Sequence, residues 1–404
     1  MTTCDCKNTC TPTPHFSEIG KPKGNSVIQD VLALAARPEV ISFGGGLPAP
    51  EGFPLAAVKE AANWVIDNQG QRALQYSACE GVMELRKALA AWETEKGIPT
   101  EAEQVLVCSG SQQGLDMIAR LFLDEGSKML VESPTYMGAL QAFQLSRPQF
   151  VELPYDEYGL NPAAIGEECR GARLAYVMPT FQNPTGRSID IERRKLLAEK
   201  AREYDFWLLE DNPYGEIYYD EHPAPSLRSY APERTITLNT MSKVLAPGFR
   251  LGYFMAPKVI IDALAEMKTA VDLHTSTYTQ LITARCLEQG LMKNHLPFVR
   301  AIYKQHAECM LNALDTYMPK HPQIKWTHPK GGMFIWLELP ENVDATELLK
   351  ACVAAEPPVA FVPGFAFYAN HPKNNTARLS FVTVPEEKII AGVKSIAETL
   401  QKFM

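Results

Sequence analysis

The sequence predicts an α/β protein: a large domain with a mostly parallel central sheet flanked by helices, joined to a smaller α+β domain. Two patterns carry that reading. From about residue 50, short apolar runs alternate with amphipathic helical stretches, and such alternation builds a parallel sheet covered on both faces. Around 258–319 the pattern turns helical for a long stretch, and 320–404 then return to strands flanked by helices. At 404 residues the chain exceeds one comfortable core, so two domains are expected. The division expected is an N-terminal arm over 1–24, a small domain from 25–48 and 310–404, and a large domain over 49–309.

In chain order, the first 24 residues are rich in Pro, Thr and Lys and read as an arm that packs on the small domain. Ser26 to Ala36 reads as a helix capped by Ser26, with Val27, Val31, Leu32 and Leu34 apolar. Val40-Ile-Ser-Phe runs into Gly44-Gly-Gly-Leu-Pro48, a tight turn where backbone approaches a ligand closely. Strands are expected at Val105–Cys108, Lys128–Glu132, Leu174–Met178, Phe206–Glu210, Thr235–Thr240 and Leu251–Met255. In the C-terminal part, Gly332–Glu338 and Ala377–Val382 read as strands.

Composition excludes several classes. The apolar fraction of 46% and charged fraction of 21% are those of an ordinary globular protein. A net charge of −8 argues against general nucleic-acid or membrane-surface binding, which need basic patches. No apolar run reaches a membrane span, and no basic-then-apolar leader opens the sequence, so a cytoplasmic location is expected. Nine cysteines, six of them scattered singly, read as reduced thiols. Cys4, Cys6 and Cys10 cluster near the start but lack a fourth ligand at finger spacing, and the eight histidines show no i,i+4 pair. No metal site is expected.

The chemistry collects at strand ends, where ligands bind in open α/β sheets. After Cys108 comes Ser109-Gly-Ser-Gln-Gln113, a turn opening a helix: an anion site by geometry, or a plain cap by Ser109 or Ser111. Ser133-Pro-Thr-Tyr136 brings an aromatic ring to the same rim. Pro179-Thr-Phe-Gln-Asn-Pro-Thr-Gly186 holds Asn183 outside helical geometry, ahead of Pro184. Asp211 ends an apolar strand, where a buried carboxylate needs a partner; a structural ion pair would also supply one. Lys243 follows a strand ending near Thr240, and Arg250 stands seven residues on. A lysine amine there suits a Schiff base, and the arginine fork suits a phosphate. Together they point to pyridoxal 5'-phosphate, which carries both an aldehyde and a phosphate.

These segments, with Gly44-Gly-Gly-Leu-Pro, Leu74-Gln-Tyr-Ser and Arg378-Leu-Ser-Phe, resemble the class I/II aminotransferases, and within them the 2-aminoadipate/kynurenine branch. The resemblance covers nearly the whole chain from about residue 25. It implies the fold-type I architecture of pyridoxal-phosphate transferases and transfer of an amino group from an L-amino acid to a 2-oxo acid such as 2-oxoglutarate. It further implies that Lys243 bonds the cofactor and moves the proton, and that Asp211 faces the pyridine nitrogen. Asn183 and Tyr214 would hydrogen-bond the ring hydroxyl, and Tyr136 would stack on the ring. Ser111, Gln112, Thr240, Ser242 and Arg250 would hold the phosphate, and Tyr76 would reach it from the second subunit of a homodimer. Arg378 would clamp the substrate carboxylate; Gly46 and Phe367 would line the side-chain pocket.

One position departs from the branch. Its members carry Ser-x-Ile-Arg in the first helix, whereas Ser26-Val-Ile-Gln-Asp30 places Gln29 where the arginine would read an acidic tail. The expected donors are aromatic, aliphatic or aminoadipate-like L-amino acids, with broader acceptance of the neutral ones than in the branch. Alternatives are another α-carbon reaction of the same cofactor (lyase, decarboxylase or racemase) and a DNA-binding regulator keeping this half. The 24 residues before the first expected helix are too few for a winged helix-turn-helix.

Overall fold

The computed structural model describes residues 15–17, 19–20 and 37–404, so Gln29, the Ser26–Ala36 helix and the arm cysteines lie outside the described residues. The strands are β1 (Ile41–Ser42), β2 (Val105–Cys108), β3 (Lys128–Val131), β4 (Gln149–Glu152), β5 (Tyr155–Asp156), β6 (Gly159–Leu160) and β7 (Leu174–Val177). They continue with β8 (Trp207–Asp211), β9 (Thr235–Thr240), β10 (Gly252–Met255), β11 (Lys325–Trp326), β12 (Phe334–Glu338), β13 (Val359–Ala360), β14 (Val362–Pro363) and β15 (Thr376–Ser380). The helices are α1 (Leu55–Ala73), α2 (Met83–Glu95), α3 (Ser111–Phe122), α4 (Met137–Gln144) and α5 (Ile191–Glu203). After them come α6 (Lys258–Val271), α7 (Thr277–Glu288), α8 (Leu291–Tyr317), α9 (Ala345–Val353) and α10 (Glu386–Leu400).

Seven strands form the main sheet in the order β2-β10-β9-β8-β7-β3-β4. The pairs from β9 to β4 are parallel, while β10 runs antiparallel to both β9 and β2. Two reversals leave β2 pointing the same way as β9, so the carboxyl ends of β2, β3, β7, β8 and β9 share one edge. The strands β2 and β7 are apolar and wholly buried, as expected of a sheet covered on both sides.

The strand β9 alternates polar and apolar residues, yet all six are buried. Thr237 Oγ1 lies 3.2 Å from Glu210 Oε2, and Asn239 Nδ2 lies 3.5 Å from Glu93 Oε1, so the polar face meets buried partners rather than water.

A second sheet, β11-β12-β15-β14, is antiparallel throughout. Far from it in sequence, β1 pairs with β13 in parallel, and the Phe43 carbonyl accepts from the Ser380 amide at 2.8 Å. The Phe43 ring fills the space above Gly392 of α10. Residues 41–43 are thereby sewn into the C-terminal part of the chain.

Candidate active site

Period-two alternation along β8 separates its two carboxylates. Glu210 takes Ser226 Oγ, the Leu227 amide (3.1 Å) and Thr237, all structural partners. Asp211 points the other way. Its Oδ2 accepts from the Tyr176 hydroxyl of β7 at 2.7 Å, and its Oδ1 is buried without a partner. Burial raises the Asp211 carboxyl to about 7, with the Tyr176 bond pulling against that shift. A buried carboxylate oxygen left open fits a cationic ring nitrogen, which would both satisfy it and restore its charge.

The turn after β2 fits a phosphate. Gly110 is the N-cap of α3, and no side chain caps the helix, so its first amides stay open. Gly110 has φ +86°, and a Cβ there would collide with the Arg250 guanidinium. Arg250 itself adopts a left-handed conformation, φ +48°, at the end of the turn Pro247–Phe249. Gly252 sits so close beneath that a Cβ would lie 2.8 Å from the Ser111 nitrogen. The Thr240 and Ser242 hydroxyls lie 3.0 Å apart, and Gln112 Nε2 donates to the Gly138 carbonyl at 2.8 Å. Ser111 opens α3.

Between these ends stands Lys243, whose Nζ donates to the Gly46 carbonyl at 2.6 Å. Burial, then the positive fields of Arg378 and Arg250, lower its amine to about 8. Arg378 on β15 is buried and holds the Asn183 Oδ1 (2.9 Å) and the Gly44 carbonyl (2.7 Å). Its Nε has no partner. Its guanidinium carbon lies 4.3 Å from the Phe334 ring centre and 5.1 Å from that of Phe367. Burial lowers Arg378 to about 10, so it remains cationic at neutral pH. Tyr214 is buried, its ring 5.8 Å from that of Phe334, and its hydroxyl is pushed well above the usual phenol range by burial. Tyr136 caps α4, and its hydroxyl feels Asp211, Arg378 and Arg250 together.

The structure thus gathers Lys243, Asp211, Tyr214, Asn183, Tyr136, Arg250 and Arg378 at one edge, with Gly46 and Phe367 beside them. Tyr76 stays outside this cluster: it is 76% exposed and rests edge-on against His274, ring centres 5.6 Å apart.

Three supports escaped the sequence reading. Tyr176 sits in a strand with no polar signal beyond its own hydroxyl. Arg194 of α5 is wholly buried and donates to the Ile189, Pro225 and Pro179 carbonyls and to Thr180 Oγ1, fixing the loop that carries Asn183. Gln182 bridges that loop to the Pro134 carbonyl at 2.8 Å. Its adjacency to Asn183 was the available signal.

Residues 38–396 match the family model described as aminotransferase class I and II. The chain belongs to that family. It is 42% identical over 399 residues to aromatic-amino-acid aminotransferase 1 of Thermococcus litoralis, covering 96% of this chain and 95% of that one. The 2-aminoadipate transaminase of Thermus thermophilus is 41% identical, with 94% of each chain covered. A crystal structure of Pyrococcus horikoshii kynurenine aminotransferase in complex with PMP superposes with a TM-score of 0.91 at 37% identity, covering 96% of this chain and 97% of that one. The fold is fold-type I, and the protein is a pyridoxal-phosphate-dependent aminotransferase that moves the amino group of an amino acid to a 2-oxo acid.

Proposed function

We propose that this aminotransferase takes neutral aromatic or aliphatic L-amino acids, with 2-oxoglutarate as acceptor, in a ping-pong cycle. One observation carries the reading: the Arg378 guanidinium and the Lys243 amine converge on one short turn, bonding the Gly44 and Gly46 carbonyls, with the arginine's charge helping to lower the lysine amine and two aromatic rings as the apolar wall. When bound, pyridoxal phosphate supplies an aldehyde for amine exchange and a cationic ring that withdraws electrons from the substrate α-carbon. The residues divide the remaining work. Arg378 takes the substrate carboxylate through two parallel hydrogen bonds, so the α C–H bond is oriented for cleavage. Lys243, its amine lowered to about 8, would move the substrate α proton.

Asp211 keeps the ring nitrogen protonated, and Tyr176 fixes Asp211 in place. Asn183 and Tyr214 would donate to the ring hydroxyl oxygen, while Tyr136 would cover the ring face. Ser111, Gln112, Thr240, Ser242 and Arg250 receive the phosphate around the α3 amides. The apolar wall beside Arg378 favours uncharged side chains, as does Gln29.

The same reading makes the enzyme a cytoplasmic homodimer. Tyr76 is exposed with Leu74, Val271 and Leu273, an apolar group clustered by the Tyr76–His274 contact, which a second subunit would cover while Tyr76 reaches its phosphate. No helix among the described residues is long and apolar enough to cross a membrane. We assign 49–309 to the cofactor domain and 25–48 with 310–404 to the small domain, a division supported by the β1–β13 pairing.

The test is a panel of amino acids against 2-oxoglutarate. Leucine and phenylalanine should exceed 2-aminoadipate, and amino acid alone should convert the cofactor to its amine form. Gln29→Arg should shift the acidic-to-neutral ratio toward acidic substrates; an unchanged ratio removes Gln29 from the account.

A further inference from the structure

An ion pair behind the phosphate turn is left over by this chemistry. Lys268 of α6 is completely buried, and its Nζ lies 2.6 Å from Asp272 Oδ1. The other oxygen, Oδ2, accepts from Ser109 Oγ at 2.9 Å and from Gln113 Nε2 at 2.7 Å. Gln113 Oε1 in turn accepts the Ser109 amide at 2.7 Å, and Thr275 Oγ1 lies 3.1 Å from Ser109 Oγ. One carboxylate therefore holds both polar side chains that flank the start of α3.

That arrangement is costly on electrostatic grounds alone, because a carboxylate near a phosphate site repels the ligand. Lys268 cancels that charge at contact distance, leaving an oriented acceptor with little net field. What the acceptor holds is the informative part. Ser109 Oγ is two and three residues ahead of the Ser111 and Gln112 amides, the separation at which a serine hydroxyl accepts from backbone N–H groups. The N-cap itself is Gly110, which has no side chain to offer, so Ser109 just before it carries the hydroxyl that could reach those amides. Here it is turned away, and α3 has no side-chain cap.

We propose that Asp272, neutralised by Lys268, is a positioning residue that holds Ser109 off the start of α3 and so keeps those amides open for the cofactor phosphate. The inference rests on the phosphate assignment made above. Without Asp272 the Ser109 hydroxyl rotates onto the amides and competes with the phosphate. It competes with nothing else on the cofactor, so the effect is confined to ligands that carry the phosphate.

The experiment compares dissociation constants of pyridoxal phosphate and of pyridoxal, which lacks the phosphate, measured by absorbance on cofactor-stripped protein. The variant is Lys268→Met with Asp272→Val, which removes the pair without leaving a lone buried charge. Pyridoxal phosphate should bind about tenfold more weakly, equivalent to about 1.4 kcal/mol and the size of one helix cap, while pyridoxal is unchanged. Adding Ser109→Ala should restore the lost affinity, because the competing oxygen is gone. Equal weakening of both ligands, or a loss that Ser109→Ala does not relieve, overturns the proposal. Asp272→Glu, which keeps the ion pair but displaces the acceptor from Ser109, gives the same comparison if the double variant does not fold. Wild-type protein that does not prefer pyridoxal phosphate over pyridoxal would instead refute the phosphate assignment itself.

Discussion

Replacing Asp211 with asparagine removes the one buried acid among the described residues whose second oxygen is buried without a partner, and its burial sets the sign and rough size of the consequence. In cofactor-free protein the Asp211 carboxyl is raised from its ordinary 3.8 to about 7 by burial. A raised carboxyl pKa means that the folded chain holds a proton that the unfolded chain releases. The stability contribution is complete below about 4 and is lost as pH climbs through 7. The shift is roughly three pH units, so ionising Asp211 costs the empty fold up to about 4 kcal/mol at pH 8, at about 1.4 kcal/mol per unit. The asparagine amide keeps an acceptor for the Tyr176 hydroxyl and carries no charge. Asp211→Asn should therefore stabilise the cofactor-free protein at pH 8 by a few kcal/mol relative to its effect at pH 5. Urea titrations of stripped wild type and variant at both pH values measure the difference. Pyridoxal phosphate should then stabilise wild type more than the variant at pH 8, since only the carboxylate gains a cationic partner. An offset between the two proteins that is the same at pH 5 and pH 8 would refute the reasoning, because it would mean that Asp211 does not titrate in the buried site.

Other outcomes follow from the same geometry. The rate at which stripped protein takes up pyridoxal phosphate should rise with pH to half its maximum near 8, since Lys243 attacks only as the free amine; a midpoint near 10 would mean its amine is solvated. Arg378→Leu should lower kcat/KM for amino acids by roughly 10²–10⁴, two charge-assisted hydrogen bonds at about 1.5–3 kcal/mol each, while barely changing reaction with a primary amine that lacks the carboxylate. Comparable losses for both substrates would remove the clamp. Gly110→Ala forces a Cβ toward Arg250 at φ +86°, and should cost about 1–3 kcal/mol of stability and at least tenfold in cofactor affinity; normal affinity would show that Arg250 stands elsewhere. In mixed dimers, a Tyr76→Phe subunit paired with a Lys243→Ala subunit should put both lesions in one site and leave the other intact, retaining about half of wild-type activity. A remaining site as impaired as that of the Tyr76→Phe homodimer would mean that Tyr76 serves its own subunit.

Much of this protein was legible because its chemistry sits where strands stop. The runs at 105–108, 174–178 and 206–210 announce buried strands. The turn residues after them follow from the need to end each strand at a ligand-accessible edge. That logic singled out Lys243, Asp211, Asn183, Tyr136 and the turn after Cys108, which the structure gathers at one sheet edge. Other elements were hidden for physical reasons. The strand β10 reads as one more strand, and nothing in Gly-Tyr-Phe-Met reveals that it runs antiparallel between β2 and β9. Tyr176 is one aromatic in an apolar run, indistinguishable from core until its hydroxyl is seen 2.7 Å from Asp211. The partners of Arg194 are mostly backbone carbonyls, which leave no mark on the sequence.

What the sequence by itself determined was the inventory: which groups reach the sheet edge, and that their combination suits an aldehyde and a phosphate; that the reaction is amino-group transfer was implied by the resemblance of those motifs to the class I/II aminotransferases. Local patterning and covalent chemistry suffice for that, because each motif carries its own turn and its own functional group. Only the tertiary structure decided which carboxylate of the Glu210–Asp211 pair is open, how a buried arginine 135 residues beyond Lys243 comes to share its space, and where the Ser109 hydroxyl is spent. Those outcomes depend on strand register and on partners distant in sequence, such as Tyr176 for Asp211 and Asp272 for Ser109, whose proximity no local pattern encodes.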